Sequence, residues 1–186
     1  MRQAILGIAL TLLAGPAGAI EVSRSRDLPA PPAAVWALIG GFCSIALWHP
    51  QVVACEASGT RDDADREDNE PVRRLVVAGG LGTLVEAETR RDEAGMSYSY
   101  AFIEGPLPVA AYNATLQVRP NGTGATVVWS ATFDPAGMGE AEARADIEGV
   151  YDQGLAGIAR ELGAPAAKPR STPPVIPDGP PPVLPR

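Results

Sequence analysis

The sequence predicts an α+β domain in which an antiparallel sheet meanders before one long C-terminal helix. Between residues 52 and 133, apolar and polar residues alternate with a period of two, and short turns such as Gly79-Gly80 and Asn121-Gly122 separate the runs. From Gly139 to Leu162 the apolar residues recur at helical spacing instead. Because a helix with one apolar stripe must bury it against another element, we expect this helix to lie on the sheet.

Two short helices are predicted between the first strand and the meander. Glu21–Leu28 alternates weakly and is typical of a strand. Pro32 suits the first position of a helix, which Gly40-Gly41 then ends. Ile45–Trp48 forms a second short helix, and Pro50 keeps the preceding residue out of helical geometry.

The strands of the meander follow from the alternation of apolar and polar residues. Their predicted ranges are Val52–Ser58, Val72–Ala78, Thr83–Arg91, Met96–Glu104, Ala110–Val118 and Thr126–Phe133. The charged connector Arg61–Glu70 lacks the glycine and the oxygen spacing of an EF-hand, so we expect a solvated hairpin end there and no metal site. One histidine and two cysteines exclude nearly every zinc or iron–sulfur site built from these residues, and no cofactor is expected.

The first 19 residues have the pattern of a secretory signal peptide. Arg2 supplies a positive charge, and the apolar run Ala4–Ala14 is too short to cross a bilayer about 30 Å thick. Ala17-Gly18-Ala19 matches a small-x-small cleavage site. We therefore predict cleavage after Ala19, a periplasmic or secreted product and no stable membrane insertion after cleavage. The alternative is an uncleaved anchor.

The other end of the chain and its overall charge limit the classes of partner. Residues 164–186 contain nine prolines and few bulky apolar residues, which predicts a Pro-rich disordered tail. The chain has 15 basic and 22 acidic residues, a net charge of -7, which argues against nucleic acid as a partner.

In an oxidising compartment Cys43 and Cys55 could form a disulfide, and two buried thiols are the alternative.

Aromatic side chains on the predicted inner face of the sheet are candidate ligand-binding residues. Strand parity places Tyr98, Tyr100 and Phe102 on one face, and residues of the two following strands share it. The candidate ligand-binding residues are Trp36, Trp48, Tyr98, Tyr100, Phe102, Tyr112, Trp129, Phe133 and Tyr151. A cavity wall with tyrosine hydroxyls as polar groups is one interpretation, and simple core packing is the other.

Three further residues are candidates for acid–base catalysis. Glu86 lies on a predicted strand whose inward face is ambiguous between its own parity and that of Val85. An inward carboxylate in an apolar cavity would have a raised pKa and could exchange protons. Arg74 could pair with Glu86, although only one of the adjacent Arg73 and Arg74 can point inward. His49 could be a general base or a structural residue bonded to the backbone.

Several motifs, together with the order of elements, carry a resemblance to a known superfamily. They are Pro32-Ala33-Ala34-Val35-Trp36, Trp48-His49-Pro50, Glu104-Gly105-Pro106-Leu107-Pro108-Val109 followed by Tyr112, and Trp129-Ser130-Ala131-Thr132-Phe133. The sequence resembles the START/Bet v 1-like (SRPBCC) superfamily, and within it the polyketide cyclase/dehydrase and lipid-transport group. The resemblance implies a helix-grip fold over residues 20–163, in which a curved seven-stranded antiparallel sheet grips the long helix and leaves a cavity.

Because this superfamily hosts several activities on one scaffold, the resemblance leaves three functional hypotheses. The first is an exported protein that binds a small hydrophobic or aromatic molecule in the cavity between sheet and helix. The second is a polyketide cyclase/dehydratase-like enzyme, which would need Glu86 and His49 inside the cavity and which an export signal argues against. The third is an accessory protein of a periplasmic oxidation system, with the acidic surface and the Pro-rich tail contacting a protein partner.

Overall fold

The computed structural model describes residues 19–58, 70–163 and 170–171. It contains three α-helices, a short 3-10 helix at Ala78–Gly80 and eight strands within these ranges. The α-helices are α1 (Pro32–Ile39), α2 (Ile45–Trp48) and α3 (Glu140–Glu161). The strands are β1 (Ile20–Leu28), β2 (Val52–Ser58), β3 (Val72–Val77), β4 (Gly82–Asp92), β5 (Ser97–Glu104), β6 (Val109–Asn121), β7 (Gly124–Pro135) and β8 (Arg170–Ser171).

The strands form one antiparallel sheet in the order β2-β3-β4-β5-β6-β7-β1-β8. The seven predicted strands, the two short helices and the long C-terminal helix are all present, so the predicted helix-grip fold is confirmed. The eighth strand is a two-residue addition, in which Ser171 pairs with Arg24 of β1. It lies in the segment predicted to be a disordered tail, and the rest of that segment lies outside the described residues.

The signal peptide and the charged connector fall mostly outside the described residues as well. Residues 1–18 and 59–69 are not described, so the predicted cleavage and the solvated hairpin end stay predictions. Among the described residues, none of the helices is long and apolar enough to cross a membrane.

Helix α3 crosses the inner face of the sheet and is held there by both apolar packing and ion pairs. At about 1.5 Å per residue its 22 residues span about 33 Å. Its buried stripe includes Ile147, Leu155 and Ile158. Arg24 on β1 reaches the helix, donating to Glu148 at 2.5 Å and lying 3.1 Å from the Asp152 carboxylate. The helix is therefore fixed against the β1 side of the sheet.

Two of the three inner glycines of α3 allow very close approach to other elements. A Cβ on Gly154 would lie 2.6 Å from the Trp129 ring and 2.7 Å from the His49 ring. A Cβ on Gly157 would overlap the carbonyl oxygen of Trp48. A Cβ on Gly149 would meet nothing within 4 Å. The C-terminal half of the helix thus packs tightly, whereas the helix stands clear of other atoms at Gly149.

A disulfide joins the turn after α1 to the edge strand β2. Cys43 and Cys55 are bonded, with their Cα atoms 5.5 Å apart, so the alternative of two buried thiols is wrong. The bond closes a short loop that contains α2 and the beginning of β2. This loop forms one side of the space beneath α3.

Candidate functional site

A cavity of about 400 Å³ lies where α3 stands away from the sheet. Its walls come from α2 and the start of β2, from β3 to β7, from the connection between β5 and β6, and from the middle of α3. The lining residues are Ile45, His49, Gln51, Val52, Arg73, Leu75, Val77, Leu81, Leu84, Glu86, Tyr100, Pro106, Leu107, Pro108, Tyr112, Trp129, Ala145, Asp146, Ile147, Gly149, Val150, Tyr151 and Gln153. The volume falls within the range of about 300–1,000 Å³ that is typical of small-molecule sites.

The mouth of the cavity is bounded by exposed residues on both sides. On the helix side these are Ala145, Asp146 and Gln153. On the opposite side lie Leu81, whose large side chain is exposed, and Pro106. The rim is therefore largely apolar, with its polar atoms concentrated on α3.

Three tyrosine hydroxyls and an indole form a hydrogen-bonded group in the wall of the cavity. Trp129 donates its Nε1–H to the Tyr100 hydroxyl at 2.9 Å, and the hydroxyls of Tyr112 and Tyr151 share a bond of 2.5 Å. The rings of Trp129 and Tyr151 stack with centroids 4.3 Å apart. Burial raises the pKa of Tyr100, Tyr112 and Tyr151 well above the ordinary value of 10.0, so all three are neutral donors and acceptors.

A buried ion pair completes the polar part of the wall. Arg73 on β3 donates its Nε–H to Glu86 of β4 at 2.7 Å and its Nη1–H to the carbonyl oxygen of Phe42 at 2.6 Å. The guanidinium lies 4.3 Å from the centroid of the Phe42 ring and 4.7 Å from that of Tyr100, which is cation–π geometry. Although burial opposes its charge, Glu86 and nearby tyrosines hold the pKa of Arg73 above its usual value, so the guanidinium stays charged.

A second ion pair lies on the same face of the sheet but outside the cavity. Glu88 is buried and accepts hydrogen bonds from Arg91, which also donates to the carbonyl oxygen of Gly40 and to Glu93. A bulge in β4 between Glu88 and Arg90 brings Arg91 onto the inner face. Glu93 in turn accepts a bond from the indole of Trp36 at 2.8 Å. This group ties α1 to the sheet.

His49 lines the cavity as a neutral structural residue. Its Nδ1 accepts the Gln51 backbone N–H at 3.2 Å, so the proton is on Nε2, which donates to the carbonyl oxygen of Val150 at 3.1 Å. Burial lowers the pKa of His49 to about 4, the Val150 bond opposes that shift, and the charge of Arg73 adds to it. The bond to Val150 links α2 to α3 beside the cavity.

The predicted ligand-binding residues divide into two groups. Tyr100, Tyr112, Trp129 and Tyr151 border the cavity. The other five lie outside the set of lining residues, and they are Trp36, Trp48, Tyr98, Phe102 and Phe133. Trp48, Tyr98 and Phe133 are fully buried in the core, whereas Trp36 and Phe102 are partly buried against it. Core packing, the second interpretation of the aromatic residues, therefore describes these five positions.

The candidate acid–base residues also separate. Glu86 and His49 both line the cavity, but Arg74 does not. The side chain of Arg74 is 57% exposed and lies 3.8 Å from Glu104 on the outer face, so its pairing with Glu86 is a wrong prediction. Arg73 is the partner of Glu86, because it shares the inward parity of Leu75 and Val77.

Sequence reasoning missed two other parts of the wall. The connection Pro106–Pro108 supplied none of the candidate ligand-binding residues, yet all three of its residues line the cavity. Gly149 was not among the candidate residues either, and it lines the cavity with nothing within 4 Å of an added Cβ. Among the described residues, no group of three or more His, Cys, Asp or Glu side chains could hold a metal ion.

The fold and the cavity together define a ligand-binding protein of the helix-grip class, with its cavity between sheet and helix. The family model for polyketide cyclase / dehydrase and lipid transport matches residues 19–163, and the chain belongs to this family. A search of curated proteins finds no match.

Solved structures similar to this chain support the same assignment. One is the protein XoxI from Bacillus cereus, 28% identical, with a TM-score of 0.68 over 76% of this chain and 94% of that chain. Another is a solution structure from Thermobifida fusca, 33% identical, with a TM-score of 0.62 over 77% of this chain and 93% of that chain. The Zhui aromatase/cyclase from a Streptomyces species is 18% identical with a TM-score of 0.61, over 78% of this chain and 94% of that chain, which shows a shared fold.

Proposed function

We propose that this chain is an exported binding protein that holds a small hydrophobic or aromatic molecule between the sheet and α3. The observation that carries the proposal is the cavity of about 400 Å³, which has apolar walls and a few convergent polar groups. Large apolar side chains such as Leu75, Leu84 and Ile147 supply contact area. The tyrosine hydroxyls supply the directional hydrogen bonds that orient a guest.

Binding of a neutral dye tests this proposal. Nile red, an uncharged aromatic probe, is expected to bind with a blue-shifted emission when it enters the cavity. Gly149→Trp would place an indole at the mouth, where a Cβ meets no other atom within 4 Å, and should abolish the signal. Glu142→Trp, on an exposed position of α3, is the matched control and should bind as the native chain does. Equal binding by the native chain and Gly149→Trp would contradict the proposal.

The cyclase-type alternative retains one favourable observation, since Glu86 and His49 both line the cavity. Both are, however, engaged by protein groups, Glu86 by Arg73 and both ring nitrogens of His49 by the backbone. A group whose hydrogen bonds are already made is poorly placed to take a proton from a guest. Liquid chromatography with mass detection of a polyketide-like ketone before and after incubation separates the two functions, because a binding protein returns it with unchanged mass and retention time, whereas a cyclase gives an isomer of different retention time and a dehydratase a product lighter by one water.

Export is part of the proposal and rests on the pattern of residues 1–19. Expression of the full chain in a bacterium, followed by fractionation and intact-mass analysis, tests it. The expected product is periplasmic and begins at Ile20. A full-length chain retained in the cytoplasm would contradict export while leaving the binding proposal open to its own test.

A further inference from the structure

The ion pair in the cavity wall decides which charge a guest can carry. Arg73 is 0% exposed, and it donates hydrogen bonds to Glu86 and to the carbonyl oxygen of Phe42. Aromatic rings lie on the guanidinium at 4.3 Å and 4.7 Å. Its charge is neutralised by Glu86 and its position is fixed by these contacts. A guest carboxylate could pair with Arg73 only by displacing Glu86 within a buried site.

The other described groups of the lining offer no compensating positive charge. Arg73 is the one Lys or Arg among the described lining residues, against two carboxylates, Glu86 and Asp146. His49 donates its single proton to a backbone carbonyl while its other nitrogen accepts, so it is neutral. The chain as a whole carries a net charge of -7, which also repels anions. An anionic guest would lose its hydration without gaining a free cation in exchange.

Neutral oxygen groups, by contrast, find ready partners in the same wall. A phenolic hydroxyl both donates and accepts hydrogen bonds, and Tyr100, Tyr112 and Tyr151 are all kept protonated there. Flat aromatic surface can pack beside the stacked rings of Trp129 and Tyr151. The cavity therefore distinguishes a hydroxyl or carbonyl compound from a carboxylate with the same ring system.

We propose that the cavity selects uncharged apolar molecules bearing a hydroxyl or carbonyl oxygen and excludes carboxylates, fatty acids included. The Arg73–Glu86 pair makes this selection, because its net charge is zero. An arginine without a partner at the same place would attract anions. This inference rests on the proposed binding function and specifies its ligand class.

A matched pair of probes tests the inference in the native chain. 2-Naphthol and 2-naphthoate share one ring system, and at pH 7 the first is neutral and the second ionised. Titration calorimetry is expected to show 2-naphthol binding at least tenfold more tightly than 2-naphthoate. Equal or tighter binding of 2-naphthoate would overturn the inference and leave the binding function standing. Binding of neither probe would overturn the inference, and the function would then be judged by the Nile red experiment.

Removing the carboxylate should weaken or abolish the preference for the neutral probe. Glu86→Gln keeps the size of the side chain but leaves Arg73 without its counter-charge, so 2-naphthoate affinity should rise at least tenfold relative to 2-naphthol. Glu104→Gln makes the same chemical change on a side chain that is 67% exposed, and it should leave the ratio unchanged. An unchanged ratio in folded Glu86→Gln would refute the role of the pair. If that variant does not fold, the comparison of the two probes in the native chain decides alone.

Discussion

The glycines of α3 allow one chemical change to be made at three positions with opposite expected effects on stability. Replacing glycine by alanine inside a helix stabilises it by about 1 kcal/mol when the new methyl group meets nothing. At Gly149 a Cβ has no neighbour within 4 Å, so the full gain is expected. For a chain of 186 residues, 1 kcal/mol corresponds to a rise in Tm of about 2–4 °C.

The same substitution at Gly157 should destabilise the protein. A Cβ there would overlap the Trp48 carbonyl oxygen and lie 3.0 Å from the carbonyl carbon, and backbone cannot turn aside as a side chain can. Helices α2 and α3 would have to separate, at a cost of about 1–3 kcal/mol or more, which exceeds the gain in helix propensity. At Gly154 the obstacles are the rings of Trp129 and His49, so we expect a smaller loss.

Thermal unfolding followed by circular dichroism measures the three variants against the native chain. The expected Tm values decrease in the order Gly149→Ala, native chain, Gly154→Ala, Gly157→Ala. A Gly149→Ala variant less stable than the native chain, or a Gly157→Ala variant equal to it, would refute the account of how α3 docks.

Three other predictions follow from the buried polar groups. Arg73→Met leaves Glu86 buried without its partner and should lower the free energy of unfolding, measured in urea, by about 3–5 kcal/mol. The control Arg74→Met, on the outer face, should change that free energy by less than about 0.5 kcal/mol. Similar losses in both variants would contradict the assignment of Arg73 as the partner of Glu86. His49 is the single histidine of the chain, and burial lowers its pKa to about 4, so its ring protons should show no NMR titration between pH 8 and 5.5. Because the unfolded chain binds this proton at a higher pH than the folded chain, the contribution of His49 to stability is full above pH 6.5 and falls as the pH drops toward 4. Burial raises the pKa of all four tyrosines, so tyrosinate absorbance should be absent near pH 10 in the folded protein. It should emerge only with unfolding, since the folded state keeps protons that the unfolded state releases above pH 10. A normal titration of any tyrosine would refute its burial.

The order and type of the elements could be predicted from the sequence because the periodicity of apolar residues reports them directly. The period of two along β5 to β7 and the helical stripe of α3 each depend only on local sequence. Strand parity also identified the inner face on which Tyr98, Tyr100 and Tyr112 lie. The same parity along β3 places Arg73 on the face of Leu75 and Val77.

The position of the cavity could not be predicted in the same way. Parity tells which face a residue occupies but not how far the helix lies above it, so Tyr98 and Tyr100 share a face although only Tyr100 meets the cavity. That height depends on long-range contacts, above all the close approach at Gly154 and Gly157. The bulge in β4 that turns Arg91 inward likewise leaves no signature in the alternation.

The covalent link between Cys43 and Cys55 has a practical consequence for anyone preparing this protein. The bond closes a loop that carries Ile45, His49 and Val52, and cross-linking a loop of about 15 residues stabilises a fold by about 3 kcal/mol. Protein made in a reducing host would carry two thiols, and the loop beside the cavity would be less constrained. The reduced and the oxidised protein would therefore give different ligand affinities, so the free-thiol content of each preparation should be reported with every dissociation constant.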